Sequence, residues 1–182
     1  MHESRPAQFD ALVLPHLQTL FRVAYRLVRN TPDAQDLVQD TCVVACANLA
    51  VLAVTESPLH WLLRVQQNRF IDRQRRRQHA PMVAGDIEDV DLFAGETLDP
   101  EQLLQQAQDE ERLEQAFMRL DEMQRTLLAL RAEGYDLTEI ETITGVSRQV
   151  LSARLHRARL SLTQRLAEQH SVTPKRRAGN QS

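Results

Sequence analysis

The sequence predicts an all-α fold, on three observations. Apolar residues recur every three or four positions along most of the chain, and no segment alternates with a two-residue period. Glycine (5 residues) and aromatic content (4%) are too low for turn-rich sandwiches or barrels. The 182 residues suffice for two compact helical units, and 42% apolar with 26% charged content is ordinary for a globular chain.

Phe9, Val13, Leu17, Leu20, Ala24 and Leu27 share one face and predict a single long amphipathic helix. It ends near "RNTPD", where Thr31 can cap and Pro32 can occupy the first turn of a second helix. Asp33 and Asp36 then lie where the helix dipole favours acids, and the helix continues to about Ala50. "AVLAVTESP" breaks it, and a third helix starts near Pro58 and runs into a cluster of arginines. Further helices are predicted over 101–119, 121–132, 137–143 and 148–167.

A formal charge of −3 conceals a sharp alternation. Residues 64–77 ("RVQQNRFIDRQRRR") carry six arginines and one acid. Residues 146–165 carry five arginines and no acid, whereas 78–111 hold ten acids and no lysine or arginine. This divides the chain into a helical unit over 1–77, an acidic linker over 78–100, a second helical unit over 101–169 and a disordered basic tail over 170–182.

Within the second unit, "YDLTEIETITGVSRQVLSARLHRARLSL" reads as a short helix, a turn at Gly145, a cap at Ser147 and a longer helix. That is a helix-turn-helix, whose second helix enters the major groove of duplex DNA. Leu151, Leu155, Ala158 and Leu162 form its apolar stripe. Ser147, Arg148, Gln149, Ser152, Arg154, His156 and Arg157 are left as candidate DNA contacts, since arginine neutralises phosphate and arginine or glutamine can pair with base edges. A solvated cationic face is the plainer alternative. In the upstream cluster, Arg64, Gln67, Asn68, Arg73 and Arg76 are candidates for a second nucleic-acid surface. Trp61 and Phe70 are interleaved there, suited either to stacking on unpaired bases or to a core.

Several classes fall away. No apolar run reaches the roughly 20 residues a bilayer span needs, and no leader-like N-terminus is seen. Cys42 and Cys46 give no disulfide framework and read most simply as small thiols in the reducing cytosol. There is no Gly-rich phosphate loop, no acid and base at informative spacing, and His16, His60 and His156 read as helix-surface or linker residues. Neither catalysis nor a metal or cofactor is expected.

Three blocks then carry a family resemblance. "LPHLQTLFRVAYRLVRNTPDAQDLVQDT", "WLLRVQQNRFIDRQRRR" and "LDEMQRTLLALRAEGYDLTEIETITGVSRQVLSARLHRARLSL" resemble, in order and spacing, the signature blocks of bacterial extracytoplasmic-function (ECF) sigma factors of the sigma-70 family. The resemblance implies a cytoplasmic, non-enzymatic factor that binds core RNA polymerase, directs it to promoter DNA and is held in check by an anti-sigma protein. It assigns Asp33, Asp36, Leu37, Gln39 and Asp40 to polymerase binding. It assigns Arg64, Gln67, Asn68, Arg73 and Arg76 to the −10 element, and Ser147, Arg148, Gln149, Ser152, Arg154, His156 and Arg157 to the −35 element. The acidic linker matches a segment that threads the polymerase cleft. A stand-alone helix-turn-helix regulator is the runner-up, but it leaves the first unit without a task.

Two departures stand out. Cys42 and Cys46 replace aromatic residues usual in the family. Glu141 stands where the family usually has alanine, at the crossing of the two helix-turn-helix helices. A carboxylate buried there would cost about 1–3 kcal/mol unless it reached solvent or a partner.

Overall fold

A computed structural model describes residues 5–79 and 100–172. Among the described residues the secondary structure is entirely helical. The described residues form nine α-helices: α1 (Arg5–Leu12), α2 (Leu17–Val28), α3 (Thr31–Ala47), α4 (Leu49–Ala53), α5 (Pro58–His79), α6 (Pro100–Met118), α7 (Glu122–Ala132), α8 (Leu137–Thr144) and α9 (Arg148–Val172). The expected linker and basic tail lie largely outside the described residues.

The single long N-terminal helix is corrected. It is interrupted at Pro15, and a 3₁₀ turn over Leu14–His16 separates α1 from α2. Proline lacks an amide hydrogen and its ring collides with the carbonyl four residues back, so apolar spacing alone could not carry the helix through. The cap of α3 is also displaced by one residue. Asn30, not Thr31, accepts from the Asp33 amide at 2.8 Å, and its own side-chain amide donates back to the Asp33 carboxylate at 3.0 Å. "AVLAVTESP" does not break cleanly, because its first residues lie in α4.

In the first unit α2 packs on α3 and α5, and α3 packs on α5. Leu20, Leu27, Leu37, Leu52, Leu62 and Phe70 are fully buried, and each such side chain contributes about 1.5–3 kcal/mol through removal from water. Two ion pairs hold the outer edges of α3 and α5 together: Arg73 with Asp40 at 2.7 Å and Arg77 with Asp33 at 2.8 Å. Burial alone would raise the Asp33 carboxyl, but hydrogen bonds from Arg77 and Asn30 outweigh it and hold the group below its ordinary range.

In the second unit α6 and α7 pack on α9, and α8 crosses α9 through a turn at Gly145. Gly145 takes φ +71°, the left-handed conformation that glycine adopts without strain. Asp121 and Asp136 close capping boxes with Gln124 and Glu139 at the starts of α7 and α8.

The two units share one continuous core. Leu127, Leu130, Ile140 and Ile143 belong to the same buried cluster as Leu20, Leu63 and Phe70. Helix α7 lies against α2 and α5, and α8 lies against α5. At one edge of this seam Glu133, its side chain 6% exposed, accepts from Arg22 Nε at 2.9 Å and Arg26 Nε at 2.7 Å. In the middle, Arg125 is 4% exposed with its guanidinium carbon 4.9 Å from the Phe70 ring centroid. Its Nε finds no hydrogen-bond partner, and burial lowers the pKa of the group. An unpaired buried donor of this kind costs about 1–3 kcal/mol or more when charged.

The expected penalty at Glu141 is reversed. Its carboxylate accepts from the Arg148 backbone amide at 3.2 Å, at the first turn of α9. The acid therefore caps α9 and complements its dipole instead of lying unpaired at the crossing. Glu141→Ala is expected to lower stability by about 0.5–2 kcal/mol; a urea midpoint that rises in the variant would refute the cap. At Glu133, burial alone would raise the carboxyl, but the hydrogen bonds and charges of Arg26 and Arg22 hold it below the ordinary glutamate value. Its stabilisation is therefore complete above that ordinary value, about 4.3, and is lost as pH falls through the depressed folded value. Urea melts at stepped pH should show Glu133→Gln removing part of the acid-side loss of stability while leaving the neutral-side slope unchanged.

Candidate nucleic-acid interface

Helix α9 turns its apolar stripe inward: Leu151 and Ala158 are fully buried and Leu155 is 6% exposed. The opposite face is open. Ser147, Arg148, Gln149, Ser152, His156 and Arg157 are exposed and Arg154 is half-buried. With Glu141 occupied by the Arg148 amide and no acid between residues 146 and 165, the charged groups on the exposed surface of α9 are all basic over this span. Beside it lies a cleft of about 360 Å³, lined by Arg131, Leu137, Ser152, Leu155, His156 and Arg159. Arg131 comes from α7 and donates to the Tyr135 carbonyl at 2.7 Å. Sequence reasoning on α9 alone could not find it, because only the folding of α7 back beside α9 joins the two.

The second basic surface lies on α5 and is divided. Asn68 and Arg76 are exposed, as are Arg75 and Arg77. Arg73 is half-buried and paired with Asp40 through both Nε and Nη2, at 3.0 and 2.7 Å. Arg64 is exposed, yet its guanidinium donates to the Ile143 carbonyl at 3.0 Å and to the Thr142 carbonyl at the end of α8. Gln67 is only 5% exposed; its amide nitrogen lies 3.9 Å from the Met123 sulfur on α7, and its Oε1 has no partner. Of the two interleaved aromatics, Phe70 is fully buried and Trp61 is partly buried against the core. The ring of Phe70 is thus not available for stacking in this arrangement.

On α3, Asp36 and Gln39 are exposed, whereas Asp33 and Asp40 face α5 and pair with its arginines. Leu37, grouped with them from the sequence, is fully buried, and its side chain anchors α3 to the core. The surface of α3 is therefore a short polar ridge whose neighbouring carboxylates also hold the arginines of α5. Cys42 is half-buried and Cys46 exposed, both free. Burial, and then the neighbouring Cys46, push the Cys42 thiol above its ordinary pKa, the opposite of an activated thiolate. Among the described residues no three His, Cys, Asp or Glu side chains converge to hold a metal.

The chain has relatives among known proteins. Residues 12–80 match the family described as Sigma-70 region 2. The ECF RNA polymerase sigma factor SigE of Mycolicibacterium smegmatis is 32% identical over 166 residues, covering 91% of this chain; the chain spans 64% of that relative's length. RNA polymerase sigma factor NccH of Alcaligenes xylosoxydans is 30% identical over 158 residues, covering 85% of this chain and 84% of the relative. In overall fold the chain resembles the sigma factor RpoE crystallised with the anti-sigma factor NepR from Bartonella quintana, with a TM-score of 0.63 over 91% of this chain and 98% of that one, at 24% identity. With a matching first unit, a helix-turn-helix second unit and relatives of this kind along nearly the whole sequence, the chain belongs to the ECF RNA polymerase sigma factors of the sigma-70 family.

Proposed function

We propose that this chain binds core RNA polymerase and directs it to promoters. In this reading residues 1–77 carry polymerase binding and the −10 element, 78–100 thread the polymerase cleft, and 101–169 read the −35 element. The chemistry of transcription belongs to the polymerase, and this chain supplies recognition alone. The observation that carries the reading is the open cationic face of α9, held outward by the buried Leu151, Leu155 and Ala158 within a helix-turn-helix. It is supported by the family to which the chain belongs and by the exposed Asp36 and Gln39 on α3, polar groups suited to a protein partner. Ser147, Arg148, Gln149, Ser152, Arg154, His156 and Arg157 are taken as the −35 contacts, and Arg64, Gln67, Asn68, Arg73 and Arg76 as the −10 contacts. Asp33, Asp36, Gln39 and Asp40, with Leu37 beneath them, are taken as the polymerase-binding stretch.

A cytoplasmic location follows from the partner. Consistent with it, no helix among the described residues is long and apolar enough to cross a membrane. An anti-sigma protein is the regulator this reading calls for, a pairing found in the RpoE–NepR complex of the structural relative.

The deciding experiment is retention of the chain by purified core RNA polymerase, followed by run-off transcription from a pool of promoter fragments. Replacing Arg154 and Arg157 together with Ala is expected to weaken −35-dependent initiation and reduce the salt slope of promoter binding by about two. Transcription that keeps its −35 dependence in that variant would remove α9 as the reader. Asp36→Arg is expected to cut retention by polymerase at least tenfold, at about 1.4 kcal/mol per decade, with helical content unchanged. Duplex DNA retained in a sequence-specific way by a chain that polymerase does not hold would instead establish a stand-alone regulator.

A further inference from the structure

Helix α3 carries a pair of thiols that the proposed function leaves unused. Cys42 and Cys46 stand four residues apart, so their side chains lie one above the other on a single edge of the helix. Cys42 is half-buried and packs against the apolar core, whereas Cys46 is exposed, and both are free. After burial, the charge of Cys46 is the second influence on the Cys42 thiol, so the two sulfurs act on each other through space. The turn that holds them is pinned. Arg5 Nη2 donates to the Cys46 carbonyl at 3.0 Å, and Asn48 donates to the carbonyls of Val44 at 2.8 Å and Ala45 at 3.0 Å. On the inward side Thr41 and Ala45 are fully buried. The pair is thus a fixed dithiol, open to solvent at one end.

Geometry decides which chemistry such a pair can do. Cβ atoms four residues apart on a helix are about 5–6 Å from one another. A disulfide needs them within about 3.5–4.5 Å, so α3 would have to unwind to close one. An ion between the sulfurs spans the larger gap with the helix intact. Thiolate sulfur favours soft ions, among them Cu(I) and Zn(II). Zinc takes four ligands in a closed site. Among the described residues no third His, Cys, Asp or Glu converges on the pair, and the carbonyls of Val44, Ala45 and Cys46 already accept hydrogen bonds. Cu(I), which has a filled d shell and is satisfied by two thiolates in line, is the ion this donor set completes. The apolar surroundings of Cys42 keep water from one side of the pair, as the shell around a metal site does.

We infer that Cys42 and Cys46 form a two-thiolate clamp for a single Cu(I) ion. Loading breaks two S–H bonds, releases two protons to solvent and forms two copper–sulfur bonds, with copper entering and remaining as Cu(I). The ion then links successive turns of α3, just beyond Gln39 and Asp40 of the polymerase-binding stretch. The site needs neither polymerase nor DNA and stands apart from the proposed function.

The test sets the full chain, reduced and kept free of oxygen, against bathocuproine disulfonate, a chelator whose colour reports Cu(I). The unmodified chain is expected to draw one Cu(I) from the chelator, and native mass spectrometry to find that ion on a single chain. Cys42→Ser and Cys46→Ser should each hold it at least about a hundredfold more weakly, the loss expected when one of two linked ligands is removed. Circular dichroism reports helix content, and if Cys42→Ser loses helix, Cys46→Ser decides alone, because position 46 is exposed. A chain that draws no Cu(I) overturns the site, as does a Cys46→Ser variant that holds the ion as tightly as the unmodified chain. One ion shared between two chains overturns the clamp within α3. Zn(II), titrated with a zinc indicator, is expected to be held no better by the unmodified chain than by Cys46→Ser. A hundredfold dependence of Zn(II) on both thiols overturns the choice of Cu(I).

Discussion

The packing of α7 and α8 onto α2 and α5 is the contact on which the rest of the structure depends. Two helical units of this size each have a limited apolar interior, and their stability rises steeply when the cores merge. Leu127, Leu130, Ile140 and Ile143 meet the cluster around Leu20, Leu63 and Phe70, and one buried cluster joins α2, α3, α4, α5, α7, α8 and α9. The seam is nevertheless chemically mixed. Hydrophobic contact draws the units together, while Arg125, Gln67 and Glu133 bring polar groups into the same seam. Such a seam holds the units in register without the full stability of an apolar core, because each incompletely paired polar group subtracts from what burial contributes.

Helix α5 is the element with most obligations. Its inner residues Leu62, Leu63, Gln66 and Phe70 are buried, and Gln66 donates to the Leu20 carbonyl at 2.8 Å, tying α5 to α2. Its N-terminal half faces the second unit, and its C-terminal arginines face solvent or the carboxylates of α3. Through Arg73 and Arg77, the ridge of α3 and the basic surface of α5 share the same charges. A partner that engages Asp33 or Asp40 shares their carboxylates with the arginines beside them, because both oxygens of Asp33 and Oδ2 of Asp40 already accept from guanidinium groups. Two surfaces that look independent in the sequence are electrically joined.

The helix-turn-helix shows how a local departure is absorbed. Alanine at position 141 would leave the first amides of α9 to water. Glutamate instead reaches the Arg148 amide, and Thr144 supplies a second link by donating to the Ile140 carbonyl at 2.7 Å and accepting from the Val146 amide at 3.2 Å. Glu141, which departs from the family pattern, and Thr144 therefore hold the turn together through hydrogen bonds.

By itself the sequence determined the helical class, the positions of α5 through α9 to within a few residues, the helix-turn-helix and the alternation of basic, acidic and basic surfaces. These are local properties: a 3.6-residue period, a glycine that tolerates positive φ and a count of charges can all be read along the chain. The break at Pro15 was also written there, but apolar spacing on both sides masked it. Only the tertiary structure decided that Leu37 and Phe70 are core, that Glu141 caps α9, that Arg131 stands beside α9, and that Arg64 bonds to α8 while Gln67 is buried against α7. Each of these depends on a partner far away in sequence. Arg64 and Ile143 are 79 residues apart, and Arg22 and Glu133 are 111 apart. No local pattern encodes such distances; they are set by which apolar faces find each other when the helices pack.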